Sequence, residues 1–408
     1  VTSGLPRRFL DLLTRPRVAG AAWWSVVSRL PVYLMSLALV LTVREQGGSY
    51  AQAGLVAALY TLGMALGSPL IARRLDRGGR AAVLTATAVA YPAALAVLVW
   101  ATRPGGWAQP VTAFTAGVVL PPANACMRSL WARLPLRKEE RETAYLWEAL
   151  LTEVLVIGAP LMLAALMLAG SAGLALTVIA VTGGLGALGL AYTRLPAGTE
   201  GAPTAPKGPR RALGPLREPA LLALTVIMAV SAVPIGLLTL AIPAFTDRHG
   251  APGGAGVVYA CWGVGSALGA VWLGRSQSEV APEVRLPRLL LAYAVGTGLT
   301  LLAGSPLGLA VALAVGSAPI ALVSATEMSL VSGIADGRSM AEAFTWASLA
   351  TVLGDALGQQ AGGLLMDPFG PRAVFAVATG TALAAAGLAF VFRGLLTRRA
   401  APTVECAV

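Results

Sequence analysis

Apolar residues run through this chain in long blocks, and polar residues gather in the gaps between them. A helix needs about 20 apolar residues to cross the hydrocarbon core of a bilayer. Twelve blocks approach or exceed that length, over residues 18–43, 50–72, 81–101, 108–130, 144–168, 171–193, 220–245, 255–274, 286–303, 307–332, 341–366 and 372–392. Within lipid the backbone must satisfy its own polar groups, so each block predicts a helix. Membrane strands would be half as long and would alternate polar with apolar. The pattern therefore predicts an all-α integral membrane protein with 12 transmembrane helices.

The pattern also repeats. Laying Pro31 on Pro234 places Leu37-Ala38 on Leu240-Ala241 and Gly47 on Gly250. A slip of one residue then places Ala53-Gly54 on Ala255-Gly256, Gly63 on Gly265, and Ala65-Leu66-Gly67 on Ala267-Leu268-Gly269. The period is half the chain, which predicts two six-helix bundles related by a parallel pseudo-two-fold repeat. The boundaries read as an N-terminal bundle over 1–193, a linker over 194–219, a C-terminal bundle over 220–393 and a tail over 394–408. The linker is rich in Pro, Gly and Arg, the composition of a flexible connection. A membrane protein built of two parallel halves has a natural cavity between them, and that points to transport.

Composition agrees. The chain is 56% hydrophobic and 12% charged, with a mean hydropathy of +0.74, whereas soluble chains are about a quarter charged. The net charge of +11 would suit nucleic acid, but its placement argues otherwise. Of 30 Lys and Arg, 25 fall in the termini and alternate gaps, four (Arg44, Arg103, Arg248, Arg372) in the other gaps, and Arg29 inside a block. That bias places both termini in the cytoplasm of a multi-pass protein of the cell (inner or plasma) membrane, with lipid and not nucleic acid as its surroundings. The opening stretch, Pro6-Arg7-Arg8 through Arg17, lacks a signal-peptide pattern. Arginine outnumbers lysine 28 to 2 and alanine is abundant, which points to a GC-rich bacterial genome. Cys126, Cys261 and Cys406 make no disulfide framework or metal spacing, and His249 is the single histidine, so no metal or other cofactor is expected.

The gap after the second block reads Gly67-Ser-Pro-Leu-Ile-Ala-Arg-Arg-Leu-Asp76-Arg77-Gly78-Gly79-Arg80. It is similar to the loop signature of the major facilitator superfamily, and the twelve blocks, repeat and central linker extend the resemblance over essentially the whole chain. The resemblance implies that Gly67, Asp76, Arg77, Gly79 and Arg80 form a gating loop that latches the halves and releases them during a cycle. Physically, the glycines permit a tight turn and Asp76 can approach a helix N-terminus or an arginine. The matching loop, Arg275 to Arg288, lacks the pattern and has Ser278 near the place of Asp76. Two further signatures depart from the family: the fourth span has Arg128 near its cytoplasmic end in place of an internal Arg-x-x-x-Gly, and the fifth keeps only Gly158-Ala-Pro160. Arg29-Leu-Pro31 followed by Gly48-Ser-Tyr-x-x-Ala-Gly54 resembles a bacterial branch of uncharacterised and efflux-type members.

Five ionisable residues fall inside the spans: Arg29, Glu148, Glu153, Glu327 and Asp355. Each would cost at least ~2.5–3.5 kcal/mol facing lipid at the bilayer centre, so each must face inward, pair or titrate. Arg29 lies about 16 Å into its helix, with Ser25, Tyr33 and Ser36 on the same face. Glu153 is in geometrical reach of Arg29, and their pair is either structural or a proton and substrate site. Asp355, with Gln359 one turn on and no basic partner among the C-terminal spans, is a candidate for reversible protonation or a helix contact. Glu327 lies toward the cytoplasmic end of its span with an open role. Arg128 and Glu148 are expected to form a structural ion pair. Four acids against one base favour a neutral or cationic substrate, on which Trp24, Tyr33, Tyr60, Trp262 or Trp346 could stack. Gly63/Gly67, Gly265/Gly269 and Gly354/Gly358/Gly362 have the spacing for close helix approach, and the resembled fold puts such stripes where the halves meet.

No Gly-x-x-x-x-Gly-Lys-Ser/Thr loop is present, so energy must come from a gradient. The reading is a monomeric secondary transporter, not an enzyme, that exports a small drug-like or secondary-metabolite molecule by proton-coupled alternating access. Uptake of a small metabolite is the second reading. An enzyme or sensor on a transporter scaffold is the third, and it lacks a recognisable nucleophile–base constellation.

Overall fold

The computed structural model describes residues 18–76, 80–133, 138–193, 215–276, 280–335 and 340–397. The described residues are helical, with no strand among them. The linker core, the tail beyond 397, Arg77, Gly79, Ser278 and Arg338 lie outside them. The chain divides into two compact units, Val1–Lys207 and Gly208–Val408.

The first unit contains α1 (Val18–Glu45), α2 (Tyr50–Asp76), α3 (Arg80–Ala96), α4 (Ala108–Val118), α5 (Ala123–Arg133), α6 (Lys138–Ala169) and α7 (Ala172–Tyr192). The second contains α8 (Pro219–Arg248), α9 (Ala255–Ser276), α10 (Pro282–Gly298), α11 (Pro306–Gly316), α12 (Ile320–Ile334) and α13 (Met340–Thr397). Among the described residues, nine helical stretches are long and apolar enough to cross a membrane. Their outward faces carry Leu, Val, Phe and Trp side chains such as Trp100, Leu168, Phe390 and Val391, which water would not tolerate in such number but lipid does.

α13 is not one crossing. At 58 residues it would span about 87 Å, nearly three times a bilayer's hydrocarbon thickness. Gly370, with φ at 78°, breaks it between Pro368 and Pro371. Before the break Gly354, Gly358 and Gly362 meet Ala229, Val233 and Leu237 of α8 in rising order. After it, Phe375 meets Phe245, and Ala385, Ala389 and Leu396 pack in one cluster with Leu221 and Leu224. The two arms thus run in opposite directions along α8, the hairpin that the blocks at 341–366 and 372–392 predict.

The sequence repeat has a backbone counterpart. Gly47 and Gly250, aligned by the repeat, both turn the chain in the left-handed region (φ 85° and 70°) between successive helices, a conformation glycine adopts without a Cβ clash. α3 ends in a π-turn over Val97–Ala101, and α10 in a 3-10 turn over Leu299–Leu302. The blocks at 108–130 and 307–332 are each interrupted: α4 stops at Val118 before α5 starts at Ala123, and α11 stops at Gly316 before α12 starts at Ile320. Proline explains both breaks. Pro121 and Pro122 have no N–H for the carbonyls of Gly117 and Val118 one turn back, and Pro319 has none for Val315.

The glycine stripes differ from expectation in what they touch. A Cβ on Gly63 or Gly67 would strike the backbone of Phe114 or Val118 in α4, and one on Gly265 or Gly269 that of Ala314 in α11 or of Ala318 just after it. The stripe Gly354/Gly358/Gly362 faces α8. All three stripes therefore close helix pairs inside one unit, and that backbone proximity accounts for the glycines without reference to the other half. Gly354→Ala is expected to lower the melting temperature, because overpacking costs about 1–3 kcal/mol. Gly387→Ala, at a helical glycine with open space around it, is expected to leave stability unchanged or raise it by up to about 1 kcal/mol. Melting of the two purified variants side by side checks the contrast, and equal shifts would contradict it.

Candidate functional site

In the first unit the polar centre is built on Arg29. α1 carries it into the bundle, where 1% of its side chain is exposed. Its Nη1 donates to Glu148 Oε2 of α6 at 2.5 Å, and Trp131 Nε1 of α5 donates to Glu148 Oε1 at 2.8 Å. Both carboxylate oxygens are thus held, one by a charge and one by an indole. Arg29 therefore pairs with Glu148; the side chains of Glu153 and Arg128, the partners expected for Arg29 and Glu148, lie outside the described residues. Glu148 is about one and a half helical turns before Glu153, and Pro121-Pro122 is followed by the re-started α5, whose Trp131 meets it. Removal of either charge would strand the other in a low-dielectric interior.

Arg29 Nε and Nη2 and Ser28 Oγ are buried with no hydrogen-bond partner among the described residues. Ser28 and Arg29 are among the residues lining a cavity of about 150 Å³ at the α4–α5 break, with Ser68, Pro122, Asn124 and Ala125 also in its walls. Tyr33, one turn beyond Arg29, is half-buried. Ser25 turns away and donates to the Ala22 carbonyl of its own helix at 2.8 Å.

The gating motif is described only in part. Gly67 is the seat of Val118, at the start of the same break. The side chain of Asp76 lies outside the described residues. Arg80 Nη2 donates to the carbonyl of Thr193 at 3.0 Å, so it supplies a cation to the C-terminal end of α7, where unsatisfied carbonyls gather.

In the second unit Asp355 and Glu327 sit in separate surroundings. Gln359 Nε2 donates to Asp355 Oδ2 at 3.1 Å, while Asp355 Oδ1 is buried with no partner among the described residues. Tyr259 of α9 and Tyr293 of α10 lie within electrostatic reach of this carboxylate, their buried hydroxyls set beside Thr239 and Thr297. Tyr259 in turn stacks at a tilt on Trp262, 5.5 Å between centroids. Glu327, 4% exposed, accepts from Ser231 Oγ of α8 at 3.0 Å. The nearby cation Arg285 donates through Nε to the adjacent Thr326 Oγ1, at 3.1 Å. Among the described residues neither Asp355 nor Glu327 forms an ion pair. The described residues bring no group of three or more His, Cys, Asp or Glu together as a metal site would require.

Sequence reasoning missed Trp131, Ser231 and the two tyrosines, which only the packing of separate helices brings to the carboxylates. It also passed over Pro121-Pro122, a signal present in the chain that a fixed 20-residue reading of the block conceals.

No curated protein matches the chain by sequence. Solved structures match it along nearly its full length. The nucleoside transporter NupG has a TM-score of 0.75 at 12% identity, over 92% of this chain and 99% of that one. The peptide transporter POT has 0.74 at 15% identity, over 98% and 99%. A bacterial homologue of the iron transporter ferroportin, inward-facing, has 0.68 at 15%, over 96% and 100%. At such identities these likenesses establish a shared fold. The sequence model of the Major Facilitator Superfamily matches residues 21–316. With apolar helices sufficient for a multi-pass membrane protein, the fold of known transporters and a family match across most of its length, the chain belongs to the Major Facilitator Superfamily.

Proposed function

We propose that the protein is a proton-coupled secondary transporter that exports a small organic molecule by alternating access. In this reading the helices make twelve crossings of the bacterial cell membrane, in two six-helix bundles with both termini in the cytoplasm, and the chain acts as a monomer. The observation that carries the coupling is Asp355, a carboxylate inside a span with one oxygen unpartnered and no ion pair among the described residues. A carboxylate so placed is expensive in the membrane when charged, and such groups serve as proton relays in transporters. Glu327, held by a serine hydroxyl and in no ion pair among the described residues, is the second group of this kind. Export as the direction rests on the resemblance of the Arg29-Leu-Pro31 region to efflux-type members.

A thermal-shift screen of the purified full chain tests ligand and proton together. It would cover a library of metabolites and antibiotics at two pH values. A ligand that binds only the folded state raises the melting temperature in proportion to its affinity and concentration. The expected result is at least one small molecule whose stabilisation changes with pH, and whose pH dependence disappears in Asp355→Asn. Stabilisation by ligands that is identical at both pH values would count against coupling.

A further inference from the structure

The cavity at the α4–α5 break has one chemical character. Nη1 of Arg29 is taken by Glu148, so Nε and Nη2 remain. These two form one edge of the guanidinium plane, the fork that matches the two oxygens of a carboxylate. Ser28 Oγ is also buried, with no hydrogen-bond partner among the described residues. Asn124 and Ala125, also on the cavity wall, stand in the first turn of α5, an 11-residue helix. Two N–H groups of that turn are taken, Ala123 donating to the Pro121 carbonyl and Cys126 to that of Pro122, which leaves those of Asn124 and Ala125 at the helix start. That end of a helix is also its positive pole, the usual seat of anions. Guanidinium edge, hydroxyl and helix start all offer hydrogens, and among the described residues no acidic side chain lines the cavity to receive them.

We propose that this cavity is a subsite for the carboxylate of the transported molecule, which makes the substrate class small carboxylate-bearing organic molecules. This rests on the transport reading above and names its substrate. It departs from the neutral-or-cationic preference drawn from counting acids over all the spans, because the described walls of this one cavity carry Arg29 and no acid, Glu148 lying on the other side of the guanidinium at Nη1. Apart from Ser68, the remaining walls, Val32, Met64 and Leu120 among them, are apolar and suit a hydrocarbon body behind the carboxylate.

Three probes of one shape and different charge test it: para-fluorobenzoate, para-fluorobenzamide and para-fluorobenzamidinium. Each is titrated against the full-length protein in detergent and followed by fluorine NMR line broadening. The benzoate is expected to saturate and to bind about tenfold or more tighter than the amide, with the amidinium weakest. Arg29→Lys keeps a cation opposite Glu148 but loses the planar fork, and is expected to weaken benzoate binding about tenfold. Ser68→Phe, at an exposed position on the cavity wall, fills the space without touching the ion pair and is expected to do the same, so the test survives if the first variant does not fold. Equal binding of amide and benzoate, no saturable probe, or benzoate binding indifferent to Ser68→Phe would overturn the proposal. A protein that couples protons to transport but ignores benzoate sinks the subsite alone. One that binds benzoate through this cavity but moves no protons sinks the coupling alone.

Discussion

Asp355→Asn is expected to stop net proton movement in reconstituted vesicles, with a loss of about tenfold or more, while exchange of substrate for substrate continues. Asparagine has nearly the shape of aspartate and can still accept from Gln359 Nε2, the one hydrogen bond the carboxylate makes among described side chains. It cannot gain or lose a proton. A carrier with asparagine there is fixed as if protonated, so steps that need only rearrangement proceed and steps that need deprotonation do not. Tyr259 and Tyr293, whose hydroxyls stand beside Thr239 and Thr297 and are not bonded to Asp355, lose a charged neighbour but no bonded one, which argues against a general collapse. Counterflow with labelled substrate, measured beside proton flux by an entrapped pH dye, separates the two effects. Equal loss of both would make Asp355 a structural residue.

Glu148→Ala is expected to carry the largest stability penalty of any single substitution named here, about 3–5 kcal/mol. Arg29 is almost completely buried, and Glu148 is its sole partner among the described residues. Truncation leaves a guanidinium with no counter-charge and an indole N–H with no acceptor. Glu148→Gln keeps an acceptor for Trp131 but not the charge, so it is expected to fall between. Replacing both members, Arg29→Met with Glu148→Met, removes the stranded charge and is expected to recover much of the stability, since apolar pairs of similar volume commonly match buried ion pairs. Retention of the monodisperse species after heating reports the order. A melting temperature for Glu148→Ala equal to that of the unaltered protein would contradict the burial of the pair.

The architecture was legible because lipid makes few demands and makes them everywhere. Block length marked where the chain is helical but not the breaks within 108–130 and 307–332, and the doubled Gly47/Gly250 pattern reappears as two left-handed turns. Even the hairpin at Gly370, which is continuous helix apart from one residue, shows in the sequence as two blocks flanking Pro368 and Pro371. The site was legible in its ingredients and not in its pairings. Arg29, Asp355 and Glu327 stand out as ionisable groups in apolar runs, and each proves buried or partly buried. Which partner each finds depends on helix rotation and on where a helix breaks, neither of which hydropathy encodes. Arg29 reaches Glu148 because α6 presents that residue beside the re-started α5. Glu327 reaches Ser231 because α8 and α12 meet at that level. The glycine stripes mark close helix approach correctly but do not name the partner, and the partners lie within each unit.

The central claim is that the carrier spends a proton gradient on export. Its most direct measurement uses vesicles loaded with a labelled ligand from the thermal-shift screen, with the cytoplasmic side of the protein facing inward. An acid-outside pH gradient is predicted to speed release of the label and to acidify the lumen in step with it, both effects vanishing when an ionophore collapses the gradient. Release at the same rate with and without the gradient, or a gradient that holds the label inside, would contradict the account.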